Sequence, residues 1–166
     1  MMVFDASTLI LITKAEILAL FLNEIDLDVA IPQEVEKECC GAKRTLDALT
    51  IQMALDEAKI RVVAVRNKTL VTKLETDFGL GRAEAEAIAL ALTEKAKILG
   101  IDDKNGINAC KLLNLSFTTA IGIFVRMHEK RLLTRDEALM KLEVLAKHGR
   151  YKQSILQDAR NNMETI

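Results

Sequence analysis

Five acidic residues stand where strands would end or helices begin: Asp5, Glu38, Glu84 and the adjacent pair Asp102 and Asp103. In an open parallel sheet, the strand ends on one edge and the helix starts that follow them converge on a single crevice. Carboxylates at those points can therefore meet although they lie far apart in sequence. Hard cations such as Mg²⁺ and Mn²⁺ prefer carboxylate oxygen and water. Such ions lower the pKa of an attacking water and offset charge on a scissile phosphate and its leaving oxygen. The pattern predicts phosphodiester cleavage, with the carboxylates serving as ligands first and proton acceptors second.

Each acid also has a plainer reading. Asp5 closes the apolar run Met2 to Phe4, a stronger cue than an acid in a loop. Ser7 and Thr8 have the hydroxyls of helix caps, and Ser7 is near enough in sequence to orient Asp5 or a metal-bound water. Adjacent carboxylates such as Asp102 and Asp103 repel unless a cation or proton sits beside them, whereas a turn or cap would use only one. In Arg82-Ala83-Glu84-Ala85-Glu86-Ala87, neighbours on one helical face are three or four residues apart, so only one glutamate faces inward. Glu84 continues into Ala87, Ile88 and Ala91, which makes it the inward candidate. Glu86 continues into Thr93 and Lys97, a polar face from which it could only support the site. The same test picks Glu38, which shares a face with Val35 and Cys39, over Glu36 and over Glu34, a first-turn acid favoured by the helix dipole.

Other catalytic schemes fit poorly. His128 and His148 fall in the helical C-terminal third without a nucleophile or metal partner, and both read as surface residues. Gly79-Leu80-Gly81 matches neither a dinucleotide fingerprint nor a phosphate-binding loop. At most, Arg82 and the helix start beside it could touch a backbone phosphate. Asp5 after a first strand could also be a phosphorylated nucleophile, but no lysine is placed for that mechanism.

With half of its 166 residues hydrophobic, the chain can bury a core as one domain without disulfides. Cys39, Cys40 and Cys110 form no CxxC pair, which points to a reducing, cytoplasmic setting. The longest apolar stretch, Leu9 to Leu22, is broken by Lys14 and Glu16 and falls short of the roughly 20 residues of a membrane span. It reads as one buried helix, with no membrane association and no targeting segment. A net charge of -1 argues against indiscriminate coating of nucleic acid. With 4% aromatics and no tryptophan, a base-stacking platform is not expected, so any nucleic acid would be held mainly through its phosphates.

The elements that must position these acids alternate between strand and helix. Met1 to Phe4, Asp28 to Ile31, Ile60 to Val65 and Ile98 to Ile101 read as strands. Helices are expected after Asp5, from Pro32 as first helical residue to about Cys40, and over Thr45 to Ala58, Thr69 to Asp77, Arg82 to Lys97 and Asn105 to Leu113. Beyond Phe117 the pattern is helical throughout. Thr134 and Glu137 form a capping box before Ala138 to Lys147, and Gly149 ends that helix. A last helix carries the apolar stripe Ile155, Leu156, Ala159 and Met163, which must dock on the body or on a second subunit.

Taken in order, Val3-Phe4-Asp5-Ala6-Ser7, Ile31-Pro32 with Val35 and Glu38, Glu84 to Ala91, and Ile101-Asp102-Asp103-Lys104 resemble the PIN-domain family over nearly the whole chain. The likeness is greatest to small prokaryotic members similar to the toxin ribonucleases of toxin-antitoxin pairs. The resemblance implies a three-layer α/β/α sandwich with a central, mainly parallel sheet, here with a helical C-terminal extension over 134–166. It also implies a Mg²⁺- or Mn²⁺-dependent endoribonuclease acting on RNA, a homodimer, and an antitoxin protein as partner. Asp5, Glu38, Glu84 and Asp103 match the acidic catalytic positions; Asp102 lies beside the last, and Asp5, Glu84, Asp102 and Asp103 are the metal-ligand candidates. Ser7, Glu86 and Lys104 are supporting candidates, and Asp103 is preferred to Asp102 because Lys104 follows it. Relatives often carry several basic residues after the aspartate pair, whereas here Lys104 is followed by Asn105-Gly106-Ile107-Asn108. The competing reading is a PIN-like scaffold that binds RNA or protein without cleaving.

Overall fold

The computed structural model describes residues 1–42 and 44–165, so Ile166, the last residue of the expected extension, lies outside the described residues. The apolar run at the N-terminus forms β1 (Met2–Phe4), buried along its whole length. Asp5 follows in extended conformation and caps α1 (Ala6–Lys14). The chain continues through α2 (Leu18–Glu24), β2 (Val29–Pro32), α3 (Gln33–Cys39), α4 (Leu46–Asp56), β3 (Ile60–Val63), α5 (Lys68–Phe78) and α6 (Arg82–Thr93). It ends with β4 (Ile98–Gly100), α7 (Lys104–Leu112), β5 (Phe117–Thr118), α8 (Ala120–Glu129), α9 (Arg135–His148) and α10 (Gln153–Thr165).

The five strands form one parallel sheet in the order β3-β2-β1-β4-β5. Val3 pairs with Ala30 of β2 on one side and with Leu99 of β4 on the other. Strand order reverses at β1, so the ends of β1 and β4 flank the switch point at which open α/β sheets bind ligands. Helices cover both faces, giving the three-layer α/β/α sandwich. Gly100 permits close packing there: a Cβ at this position would lie 2.5 Å from a Phe4 ring carbon and 3.3 Å from the Thr8 methyl. Its absence lets Thr8 of α1 sit against the end of β4.

Several boundaries differ from the sequence reading, each for a physical reason. The apolar run 9–22 is two helices, α1 and α2, bent by 108°, because Glu16 takes a left-handed conformation (φ 57) between them. No single helix among the described residues is long and apolar enough to cross a membrane. Pro32 ends β2 and is the N-cap of α3, so it is not the first helical residue. β5 was not expected; two residues are too short to show a period, and the strand is defined by its pairing to β4.

The helices read to Ala58 and Lys97 stop at Asp56 and Thr93. Ala58 and Lys95 lie at φ 55 and 50, and the next residues donate back across the helix end, from Lys59 N to Ala54 O and from Ala96 N to Ala91 O, both at 2.9 Å. These are left-handed helix ends without the usual glycine, so the sequence carries no stop signal. In the C-terminal extension, Thr134 and Glu137 make the capping box of α9. Ala159 and Met163 bury α10 against α8 and α9, while Ile155 of the same stripe stays exposed.

Candidate active site

Asp5 and Asp102 are brought together at the switch point. The backbone ties them to adjacent strands: Asp5 N donates to Gly100 O at 2.9 Å, and Ile101 N donates to Thr118 O at 2.9 Å. Asp5 is 1% exposed. Its Oδ1 accepts the Thr8 backbone N–H at 2.8 Å and its Oδ2 the Ser7 hydroxyl at 2.8 Å. Asp5 is therefore itself the cap expected of Ser7 or Thr8. Thr8 turns its hydroxyl the other way, donating to Asp102 Oδ2 at 2.7 Å. One buried threonine thus holds both carboxylates.

Asp102 has further partners. The N–H of Ala120, first residue of α8, donates to Oδ2 at 2.8 Å, and the Tyr151 hydroxyl donates to Oδ1. The carboxylate thus meets an otherwise unpaired helix-start donor at the positive end of the dipole. α1, α7 and α8 all begin at this edge, and Asp5, Asp103 and Asp102 each accept one of their helix-start N–H donors.

Burial pushes the Asp5 carboxyl up from its ordinary 3.8 to about 7. Hydrogen bonds from Thr8 and Ser7 oppose the rise, and the charge of Asp102 adds to it. The Tyr151 hydroxyl is pushed far above its ordinary value, by burial first and then by Asp102. The Cys110 thiol is pushed up to about 11, by burial first and then by Asp5, which keeps it protonated and rules it out as a nucleophile.

The other acids sit differently from expectation. Asp103 Oδ1 accepts Gly106 N–H at 2.8 Å, so the residue preferred from sequence is the cap of α7, and Asp102 is the one beside Asp5. Glu38, expected to face inward, is exposed. It lies in the last turn of α3, carried away from the sheet edge at which that helix starts, while Val35 and Cys39 of the same face are buried. Glu84 is half-buried, with its side chain folded back over Gly81. It makes no hydrogen bond or ion pair among the described residues and shares a shallow depression with Glu38, Lys37 and Arg82.

Glu86, expected on a polar face, is 1% exposed. Its carboxylate accepts the Glu34 N–H in the first turn of α3 at 3.4 Å and Lys68 Nζ at 3.0 Å, with Arg82 Nε at 3.7 Å. α6 is buried almost all round, from Ala85 to Ala91, so it has no polar face on which periodicity could place Glu86. His128, read as a surface residue, is buried, with Nδ1 3.2 Å from Leu133 O and Nε2 without a partner among the described residues. Lys104 is exposed at the start of α7. Sequence reasoning missed Thr8 as more than a cap, and missed Tyr151 altogether. The one available signal for the latter was a lone tyrosine between Arg150 and Lys152 just after a helix end.

The donor set suits one hard cation: two carboxylates on neighbouring strand ends, fixed by hydroxyls, are as many as Mg²⁺ commonly takes from protein while keeping its waters. The full four-acid set is not gathered; among the described residues no three His, Cys, Asp or Glu side chains are placed to hold a metal ion. A parallel sheet with paired aspartates at its switch point defines an α/β protein with a candidate cation site. The profile of a family described as a PIN domain matches residues 1–164, and the chain belongs to the PIN-domain family. No curated protein and no solved structure matches the chain. PIN domains are generally nucleases and typically use divalent metals, so membership supports hydrolysis of nucleic acid as the activity class.

Proposed function

We propose that this protein is a divalent-metal-dependent endoribonuclease centred on Asp5 and Asp102. The observation that carries the proposal is the shared grip of Thr8 on two carboxylates at the switch point, one of them deeply buried. Such a pair is costly alone and is relieved by a cation. Bound there, Mg²⁺ or Mn²⁺ would supply an activated water and charge compensation at the scissile phosphate.

The chain's own residues do the rest. Ser7 and Thr8 fix the Asp5 oxygens, and Thr8, Ala120 N–H and Tyr151 fix those of Asp102. Glu84, without a partner among the described residues, would act only from the depression it shares with Glu38. Asp103 supports the loop by capping α7, and Glu86 supports α6 against α3. Glu38 would act only from the neighbouring depression. The residues fit Mg²⁺ and Mn²⁺ better than zinc, which prefers nitrogen and sulfur donors.

A toxin role belongs to the same proposal and rests on the resemblance. A homodimer or a small antitoxin would find an apolar strip on α4, where Leu46, Leu49 and Met53 are exposed. The non-catalytic reading also has an observation in its favour, since Tyr151 already occupies one Asp102 oxygen. Mn²⁺ titration followed by electron paramagnetic resonance separates the two. The proposal expects binding by the unaltered protein that is weakened at least tenfold in Asp5→Asn and Asp102→Asn. RNA binding with no Mn²⁺ binding would favour the scaffold.

A further inference from the structure

Only Lys104 follows the aspartate pair as a base in sequence, but the fold gathers three more cations beside it. A groove of about 480 Å³ runs from Asp102 between α7 and the turn joining α9 to α10. Lys104 and Lys111 line one wall and Arg150 and Lys152 the other, with the Tyr151 ring between the last two. Asp102 is the one acid in the lining. None of the four cations is ion-paired among the described residues. In a chain of net charge -1, this is a local basic track ending at the proposed reaction centre.

The turn is shaped for this. A Cβ at Gly149 would stand 2.3 Å from a Tyr151 ring carbon and 2.9 Å from Leu145 O, so only glycine lets the ring pack against the end of α9. Lys104 and Lys111 are two helical turns apart on α7, about 10 Å, a span that reaches more than one phosphate. An aromatic ring among unpaired cations suits a single strand, whose phosphates take the charges while an unstacked base meets the ring.

We infer that the C-terminal extension builds a binding track for single-stranded RNA, in which Lys104, Lys111, Arg150 and Lys152 hold the phosphates flanking the scissile one. The inference rests on the reading of Asp5 and Asp102 as a nuclease centre, and it assigns α9 and α10 a part in substrate binding.

The test is fluorescence anisotropy of a short labelled single-stranded RNA, titrated in EDTA at several salt concentrations into Asp5→Asn protein. The same protein carrying Arg150→Ala and Lys152→Ala is run in parallel, with Lys95→Ala and Lys130→Ala at the far edge of the sheet as control. The track predicts at least tenfold weaker binding in the first double variant and none in the control. It also predicts that log K against log salt becomes shallower by about 1.4, from two lost phosphate contacts. Arg150→Lys should retain most of the affinity, which separates charge from folding. Unchanged affinity and salt dependence would overturn the inference, as would a loss confined to duplex RNA. Cleavage by protein with Asp5 intact is measured separately. Absent cleavage with a charge-dependent track sinks the nuclease reading alone, and cleavage with no effect of Arg150 and Lys152 on binding sinks the track alone.

Discussion

Asp5→Asn should stabilise the metal-free protein at neutral pH, although it removes the residue on which the proposed activity depends most. The folded carboxyl is raised from 3.8 to about 7, chiefly by burial. Because its folded pKa lies above the unfolded one, the native state holds the proton more tightly, and stability falls as pH rises through that window. The full penalty for the ionised form is about 4 kcal/mol. It is nearly absent near pH 4 and complete somewhat above 7. Asparagine is neutral and a good helix cap, and its oxygen can still accept the Thr8 N–H. Its amide cannot accept from Ser7 as the carboxylate does, so the net gain above pH 7 should be about 2 to 4 kcal/mol. Urea unfolding of both proteins in EDTA from pH 4 to 8 gives the comparison. The difference should be small at pH 4, with more than half of its growth between pH 5 and 8. Equal stability at pH 8, or a difference independent of pH, would refute the argument that burial of Asp5 holds back its ionisation. Excess Mn²⁺ at neutral pH should then raise the stability of the unaltered protein more than that of Asp5→Asn.

Other outcomes follow from the same geometry. Glu86→Ala leaves the first turn of α3 without its acceptor and should cost about 1 to 3 kcal/mol by urea unfolding, against less than about 0.5 for Glu38→Ala. Equal effects would contradict the placement of the two glutamates. Tyr151 is the chain's one tyrosine and there is no tryptophan, so its ionisation can be followed cleanly by absorbance. No tyrosinate should form at the ordinary pKa of 10 while the protein stays folded, and titration there would mean the ring is not tied to Asp102. Ala58→Gly relieves a left-handed residue at the end of α4 and should raise stability by about 0.5 to 1 kcal/mol; a loss of stability would show that position 58 is not left-handed.

The strand-helix alternation was legible because short buried runs such as Met2–Phe4 and Ile98–Gly100 are bounded by polar turns, and the parallel order follows from helical crossovers between them. Helix ends were less so, since four left-handed residues among those described, Glu16, Ala58, Lys95 and Arg131, lack the glycine or asparagine that signals such an end. The two aspartate positions could be found because an acid directly after a buried strand has few plain explanations. Which of Asp102 and Asp103 faces Asp5 could not be read, because it depends on how the chain turns into α7. The glutamates of α3 and α6 could not be sorted either, since facing is set by neighbours on every side of α6. Tyr151 and the cations around it come from about 50 residues away in sequence, a distance that no local pattern spans.

The most direct measurement is cleavage of an end-labelled structured RNA pool by the unaltered protein, Asp5→Asn and Asp102→Asn, purified in parallel and assayed with Mn²⁺ and with EDTA. A metal-dependent centre at Asp5 and Asp102 predicts cleavage only by the unaltered protein, and only with Mn²⁺. Cleavage that persists in EDTA or in Asp5→Asn, or its absence from a protein that binds both Mn²⁺ and RNA over a wide range of substrates, would contradict it.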